Sequence, residues 1–169
     1  MKPIKRMIGS VAILTALTTG VNAQSTATAS TTAVLVTPIS VAKTTDMHFG
    51  TVAASATAGT VVLDYANGRT ATGGVTLPAG GATPTTGVFT VTGQGSSTFS
   101  ISIPSTLTLT SGGGATMTVS SITCEQGTSG TLSSGTKAIN IGATLNVGVA
   151  QLAGTYTNAS GLLVTVNYN

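Results

Sequence analysis

Leu162-Leu163-Val164-Thr165-Val166-Asn167-Tyr168-Asn169 are the last eight residues of the chain, and their alternation decides the fold. Side chains in a strand point to opposite faces in turn, so Leu162, Val164, Val166 and Tyr168 share one face while Leu163, Thr165 and Asn167 take the other. This is the pattern of a half-buried strand. Working back along the chain, the same period of two recurs: Leu145 and Val147, Ile139 and Ile141, Met117 and Val119, Leu107 and Leu109, then Phe99, Ile101 and Ile103, then Phe89 and Val91, and Val61, Leu63 and Tyr65. Shorter runs at residues 74–77 and 47–52 are weaker strand candidates. Residues 34–41 supply the first, with Val34, Val36, Ile39 and Val41 as its apolar members and Pro38 marking an edge or a bend, because proline cannot donate to a ladder.

Between these runs lie turn signals. Asn67-Gly68 suits a tight turn. Gly93-Gln94-Gly95 reads as the connection of a hairpin joining residues 87–93 to residues 98–103. Gly112-Gly113-Gly114 and residues 127–135 read as flexible breaks. No period near 3.6 persists beyond the first twenty or so residues, and no internal repeat is evident. Eight to ten short strands at near-regular spacing predict an all-β protein, an immunoglobulin-like β-sandwich of Greek-key type, with a small barrel as the rival arrangement. The disulfide and tryptophan of immunoglobulin domains are missing.

The start of the chain reads differently. Lys2, Lys5 and Arg6 form a basic head, residues 7–20 an apolar run too short to span a membrane stably, and Val21-Asn22-Ala23 a small-residue cleavage site. Residues 1–23 are therefore expected to be a secretory signal peptide, residues 24–32 a flexible Ser/Thr/Ala leader, and residues 33–169 one domain. Cleavage would remove the whole excess of the formal net charge of +3, leaving Lys43, Arg69 and Lys137 against Asp46, Asp64 and Glu125. A chain without a clustered basic face has no means of holding nucleic acid or an anionic membrane by charge, so neither partner is expected. No later run is apolar enough for a membrane span, and the expected location is the periplasm, the cell surface or the medium. So few charges also leave strand edges without the lysines that commonly guard them.

Chemistry has few places to reside. Cys124 is the only cysteine, which excludes an intramolecular disulfide, and its alternation with Ile122 predicts burial. His48 is the only histidine; it shares a strand face with Asp46, while Met47 and Phe49 take the opposite one. Two such groups fall short of a metal site or a nucleophile's base, and a solvent-facing polar pair is the expectation. Asp64 and Glu125 could act as a glycosidase pair only if the fold joined them, and isolated surface carboxylates are expected instead. The glycine pairs lack the Lys-Ser/Thr and the strand-to-helix context of a phosphate cradle. Asn158-Ala159-Ser160 matches a glycosylation acceptor in form alone. No enzyme activity, metal or cofactor is expected.

Three stretches, Phe49-Gly50-Thr51-Val52, Gly68-Arg69-Thr70-Ala71-Thr72-Gly73-Gly74-Val75, and Gly154-Thr155-Tyr156 running on to the closing strand, together resemble a family of exported bacterial domains known as domain of unknown function 4402. The outer two also resemble those of chaperone–usher pilus subunits and spore-coat-U-like proteins. That likeness implies a subunit completed by a strand from its neighbour, with Gly154, Tyr156, Leu162, Val164, Val166 and Tyr168 as the assembly or closing-strand residues. It also implies a periplasmic chaperone or a second copy as partner. Departures are the absent disulfide and the short segment at residues 33–41, which is either the domain's own first strand or a donated one. The expected function is a non-enzymatic fimbrial or coat-type structural subunit. The alternative is a secreted binding module for a glycan or surface protein, using the loops at residues 80–86 and 127–135.

Overall fold

A computed structural model describes residues 23–169. The signal-peptide reading of residues 1–23 falls, apart from Ala23, outside the described residues. The chain divides into two units, Met1–Val34 and Leu35–Asn169. In the first, residues 23–34 have no regular structure and their side chains are exposed. The second carries every strand, and among the described residues there is no helix.

Eleven strands follow in order: β1 (Ser40–Thr45), β2 (Gly59–Leu63), β3 (Arg69–Gly73), β4 (Gly87–Thr92), β5 (Thr98–Ser102), β6 (Leu107–Ser111), β7 (Thr116–Cys124), β8 (Ser129–Thr131), β9 (Thr136–Val147), β10 (Tyr156–Thr157) and β11 (Thr165–Tyr168). Eight of them form one sheet in the order β1-β4-β9-β7-β6-β10, with β2 joined to β9 and β3 to β2; this sheet curls as an open half-barrel. A second sheet has the order β11-β5-β8. All the pairings are antiparallel. The expectation of an all-β chain holds.

The twelve-residue β9 organises the larger sheet. Its inward residues Ile139, Ile141, Ala143, Leu145 and Val147 are all buried, because small Gly142 and Ala143 let the alternation run through without a break. Along one edge β4 pairs with its first half and β2 with its second; along the other lies β7. A bulge in β7 shifts the register between Ser120 and Thr123. It resets the parity of the strand, so that Val119, Ile122 and Cys124 all point inward although an unbroken alternation would turn one set out. From the smaller sheet come Phe99, Ile101, Val164 and Val166 to the same apolar cluster. Phe99 is wholly buried and lies against Gly130 of β8, where an added Cβ would come within 2.6 Å of the ring.

Five local expectations are corrected. The first strand begins at Ser40 and not at residue 34: Val34, Val36 and the whole stretch ahead of Pro38 have no ladder partner, while Ile39 and Val41 pack against the core. Proline's missing donor ends the pairing at that point. Residues 47–52 form no strand, only an isolated bridge from His48 to Thr85. Gly50 turns there with φ 73°, and the guanidinium of Arg69 donates to the carbonyls of Phe49 and Thr51 in place of a ladder. Residues 74–77 contribute a single bridge at Thr76. Their strand is instead Arg69–Gly73, whose Thr-rich alternation is weakly apolar. The hairpin at Gly93-Gln94-Gly95 is a passage between sheets, since β4 pairs with β1 and β9 but β5 pairs with β11 and β8. The break at residues 127–135 contains β8, held because the small Gly130 admits the Phe99 ring.

Candidate functional site

Position in the sheets sets the residues of the closing strand apart from the rest of the chain. β11 pairs with β5 through Thr165, Val166, Asn167 and Tyr168 and has no ladder on its other side. β1, the end strand of the larger sheet, approaches it there without pairing. Two strand edges thus face each other unjoined, each with backbone donors and acceptors that the other does not use.

They are tied at one end by Tyr168. Its hydroxyl donates to the carbonyl of Thr37 at 2.7 Å and accepts from the backbone N–H of Gln94 at 2.6 Å, while the N–H of Thr37 donates to Oε1 of Gln94 at 3.2 Å. A cleft of about 380 Å³ opens beside this triangle, lined by Val36, Gln94, Ser97, Thr98, Tyr168 and Asn169. Ahead of Thr37 the apolar side chains have no cover: Leu35 is fully exposed, Val34 84% and Val36 51%. Gln94 and Thr37 carried no sequence signal of their own. Only the penultimate tyrosine marked the place.

The closing-strand residues separate into two groups. Val164 and Val166 are buried, Leu162 and Tyr168 are partly buried against the core, and Leu163 is 71% exposed, as the alternation required. Gly154 and Tyr156 belong elsewhere. Tyr156 sits in β10 at the opposite end of the larger sheet, where its hydroxyl donates to the Leu152 carbonyl at 2.7 Å and accepts from Nε2 of Gln151 at 2.9 Å. That side chain fastens a loop. It takes no part in the β11 edge.

The remaining candidates are absorbed locally. Asp46 pairs with Lys43 at 2.6 Å on the surface, and Nδ1 of His48 accepts from the Gly50 N–H at 2.8 Å; neither bonds the other. Asp64 accepts from the N–H groups of Ala66 and Gly68 through Oδ1, at 2.8 and 2.7 Å, and so closes the β2–β3 turn in which Asn67 takes φ 68°. Glu125 accepts from Asn140 at 2.7 Å. Cys124 is buried, and burial pushes its thiol above the ordinary pKa; a backbone hydrogen bond at Gln126 opposes the shift and the Glu125 carboxylate adds to it. Asn158 spends its amide on the Thr108 carbonyl at 2.8 Å, with its Oδ1 buried and unpartnered, so the formal glycosylation acceptor is tied into the fold. No group of three or more metal-ligating side chains gathers among the described residues. No helix among them is long and apolar enough to cross a membrane.

Fold and edges together define the class: an all-β domain of two sheets whose first and last strands lie at neighbouring, unpaired edges. The chain belongs to the family described as "Domain of unknown function (DUF4402)", whose model matches residues 39–168, from just ahead of β1 to the end of β11. No curated protein matches the chain, and no solved structure does.

Proposed function

We propose that this protein is an exported, non-enzymatic structural subunit of the bacterial cell surface, fimbrial or coat-like, built as an immunoglobulin-like Greek-key sandwich. Residues 1–23 act as the signal peptide, and the domain reaches the periplasm, the cell surface or the medium. The reading rests on one observation: the β11 edge lies open opposite β1, while Leu35 and Val36 stand exposed just ahead of β1 on the same chain. An extended segment from a second copy pairs with the β11 edge through main-chain bonds, and its apolar side chains gain the cover they lack in the free subunit. Since Ser40 and Val41 belong to β1, the segment available for donation is the part ahead of Pro38. A periplasmic chaperone holds the same edge before assembly. The more distant likeness to pilus and spore-coat-U-like subunits supports this reading through Phe49-Gly50 and the penultimate Tyr168.

The test uses protein beginning at Gln24. Filaments in electron micrographs, or a ladder of multimers in unboiled gels that Leu35→Asp abolishes, are expected. A strictly monomeric species over a wide concentration range, in wild type and variant alike, defeats the proposal.

A further inference from the structure

The larger sheet is interrupted on both sides of β9 at one level. On one edge, β4 ends its pairing at Ile141 and β2 begins at Ala143, so Gly142 has no partner there. On the other, the β7 bulge leaves Ser121 and Ile122 outside the ladder that runs from Ser120–Thr144 to Thr123–Gly142. Between the interruptions lies a cleft of about 320 Å³, within the size range of small-ligand sites. The Tyr65 ring lies along it, 3.2 Å from where a Cβ on Gly142 would stand, so glycine at that position leaves the ring its place.

Ser121 adds an independent observation. It holds φ 49°, a left-handed conformation that costs a non-glycine residue of order 1 kcal/mol or more. The bulge alone would be satisfied by glycine. Serine there lines the cleft at the expense of backbone strain. Asp64, also in the lining, uses only Oδ1 in the β2–β3 turn; among the described residues its Oδ2 has no donor and the hydroxyl of Thr144 has no partner. The Tyr65 hydroxyl donates to Thr123 at 2.9 Å, fixing the ring.

We propose that this cleft is a binding site for a neutral saccharide. A ring of the sugar packs its C–H face on Tyr65 and on Val62, which is 42% exposed; a hydroxyl donates to Oδ2 of Asp64, and Ser121 and Thr144 supply donors. The one formal charge in the lining is negative, which opposes phosphates and acidic sugars. The cleft also opens along the sheet: Ser120, Thr144, Val62 and Thr70 stand opposite one another in successive ladders of β7, β9, β2 and β3, an uncharged row along which a second sugar residue extends. Glu125 does not line the cleft, so Asp64 has no second carboxylate beside it there to form an acid and base pair.

The experiment follows backbone amide shifts of the isotopically labelled protein during titration with glucose, galactose, mannose, N-acetylglucosamine and their disaccharides, and with choline as a cationic control. Millimolar binding of at least one neutral sugar is expected, with shifts confined to Tyr65, Ser121, Gly142, Thr144 and their neighbours. Ser121→Gly relieves the strained backbone and should melt no lower than wild type, yet weaken binding roughly tenfold. Asp64→Asn keeps the turn-closing oxygen and should weaken it as well. Shifts centred on the loops at residues 80–86 or 127–135, binding of choline alone, no response to any neutral sugar, or full binding by Ser121→Gly and Asp64→Asn would each overturn the proposal.

Discussion

β9 and β11 carry the same alternation of apolar and polar residues, yet the twelve-residue β9 has partners on both edges, β4 and β2 along one and β7 beside residues 141–146 on the other, while β11 is paired along one edge over four residues. Periodicity marks both as strands with an inner face. It carries no information on what lies beside that face, because an edge strand and a central strand bury the same alternate side chains. Stability therefore concentrates where partners are complete, and the capacity to bind another chain where they are not. The edge pair β1 and β11 and the β9 centre should respond unequally to the same kind of change.

Removing residues 24–41 is the severest change. It takes away Ser40 and Val41, which pair with Thr92 and Val91, and the carbonyl of Thr37 that receives the Tyr168 hydroxyl. Aggregated or unfolded protein is expected by circular dichroism and sedimentation, because β4 then presents a bare edge at Val91 and Thr92 and the tie to Tyr168 is gone. A peptide of residues 33–41 added in trans should not restore a cooperative melt. Restoration, with no monomer of the intact chain detectable, would make the β1 segment a donated strand and erase the distinction between own strand and donor.

Within the folded domain the contrast becomes one of degree. Ile139→Ala empties a fully buried site on β9 opposite Phe89 of β4 and should cost about 2–5 kcal/mol in denaturant unfolding. Val166→Ala in β11 removes less, about 1.5 kcal/mol, in a strand that neighbours can leave or rejoin on one side. Equal losses would mean that β11 is held as firmly as β9. Tyr168→Phe is subtler: two hydrogen bonds disappear from a half-buried position, and a loss of about 1 kcal/mol is expected. Its specific mark is faster hydrogen exchange at the Gln94 amide, which loses its acceptor.

Legibility in the sequence followed the side chains that must be buried. Phe99 with Ile101, Ile139 with Ile141, and Val164 with Val166 declared their strands and faces, since each apolar residue has one acceptable side. Arg69–Gly73 went unread because Thr70 and Thr72 flank only Ala71, a residue too small to signal an inner face. Which sheet a strand joins was equally hidden. Nothing in Gly93-Gln94-Gly95 distinguishes a hairpin from a passage between sheets; that choice is made by partners far along the chain, Lys137 opposite Val91 and Gly130 opposite Phe99. The edge site was legible through Tyr168 alone, because Thr37 acts through backbone groups that every residue possesses, and Gln94 through its N–H and one side-chain oxygen in a loop with no periodic pattern. The bulge at Ser121 was invisible for a related reason: Val119, Ile122 and Cys124 are spaced three and two apart, and only the ladder to β9 shows where the parity changes.

The smallest effect concerns Cys124, which lies in β7 beside the β9 centre and away from the β11 edge. Its thiol is raised above the ordinary value by burial, so the folded state keeps its proton to higher pH than the unfolded state does. Below the ordinary thiol pKa, about 8.5, both states are protonated and the group contributes no pH dependence. As the pH rises past that value the unfolded chain loses its proton first, and stability falls with further increase. Urea unfolding should therefore give a level midpoint through neutrality and a decline on the alkaline side that Cys124→Ala, although less stable throughout, does not share. A decline of the same size in the variant would assign it to another group. Native protein should also react slowly with a thiol reagent, at a rate that rises with urea. Fast labelling in the absence of urea would place Cys124 at an edge that opens as readily as β11, contrary to its position opposite Ile141.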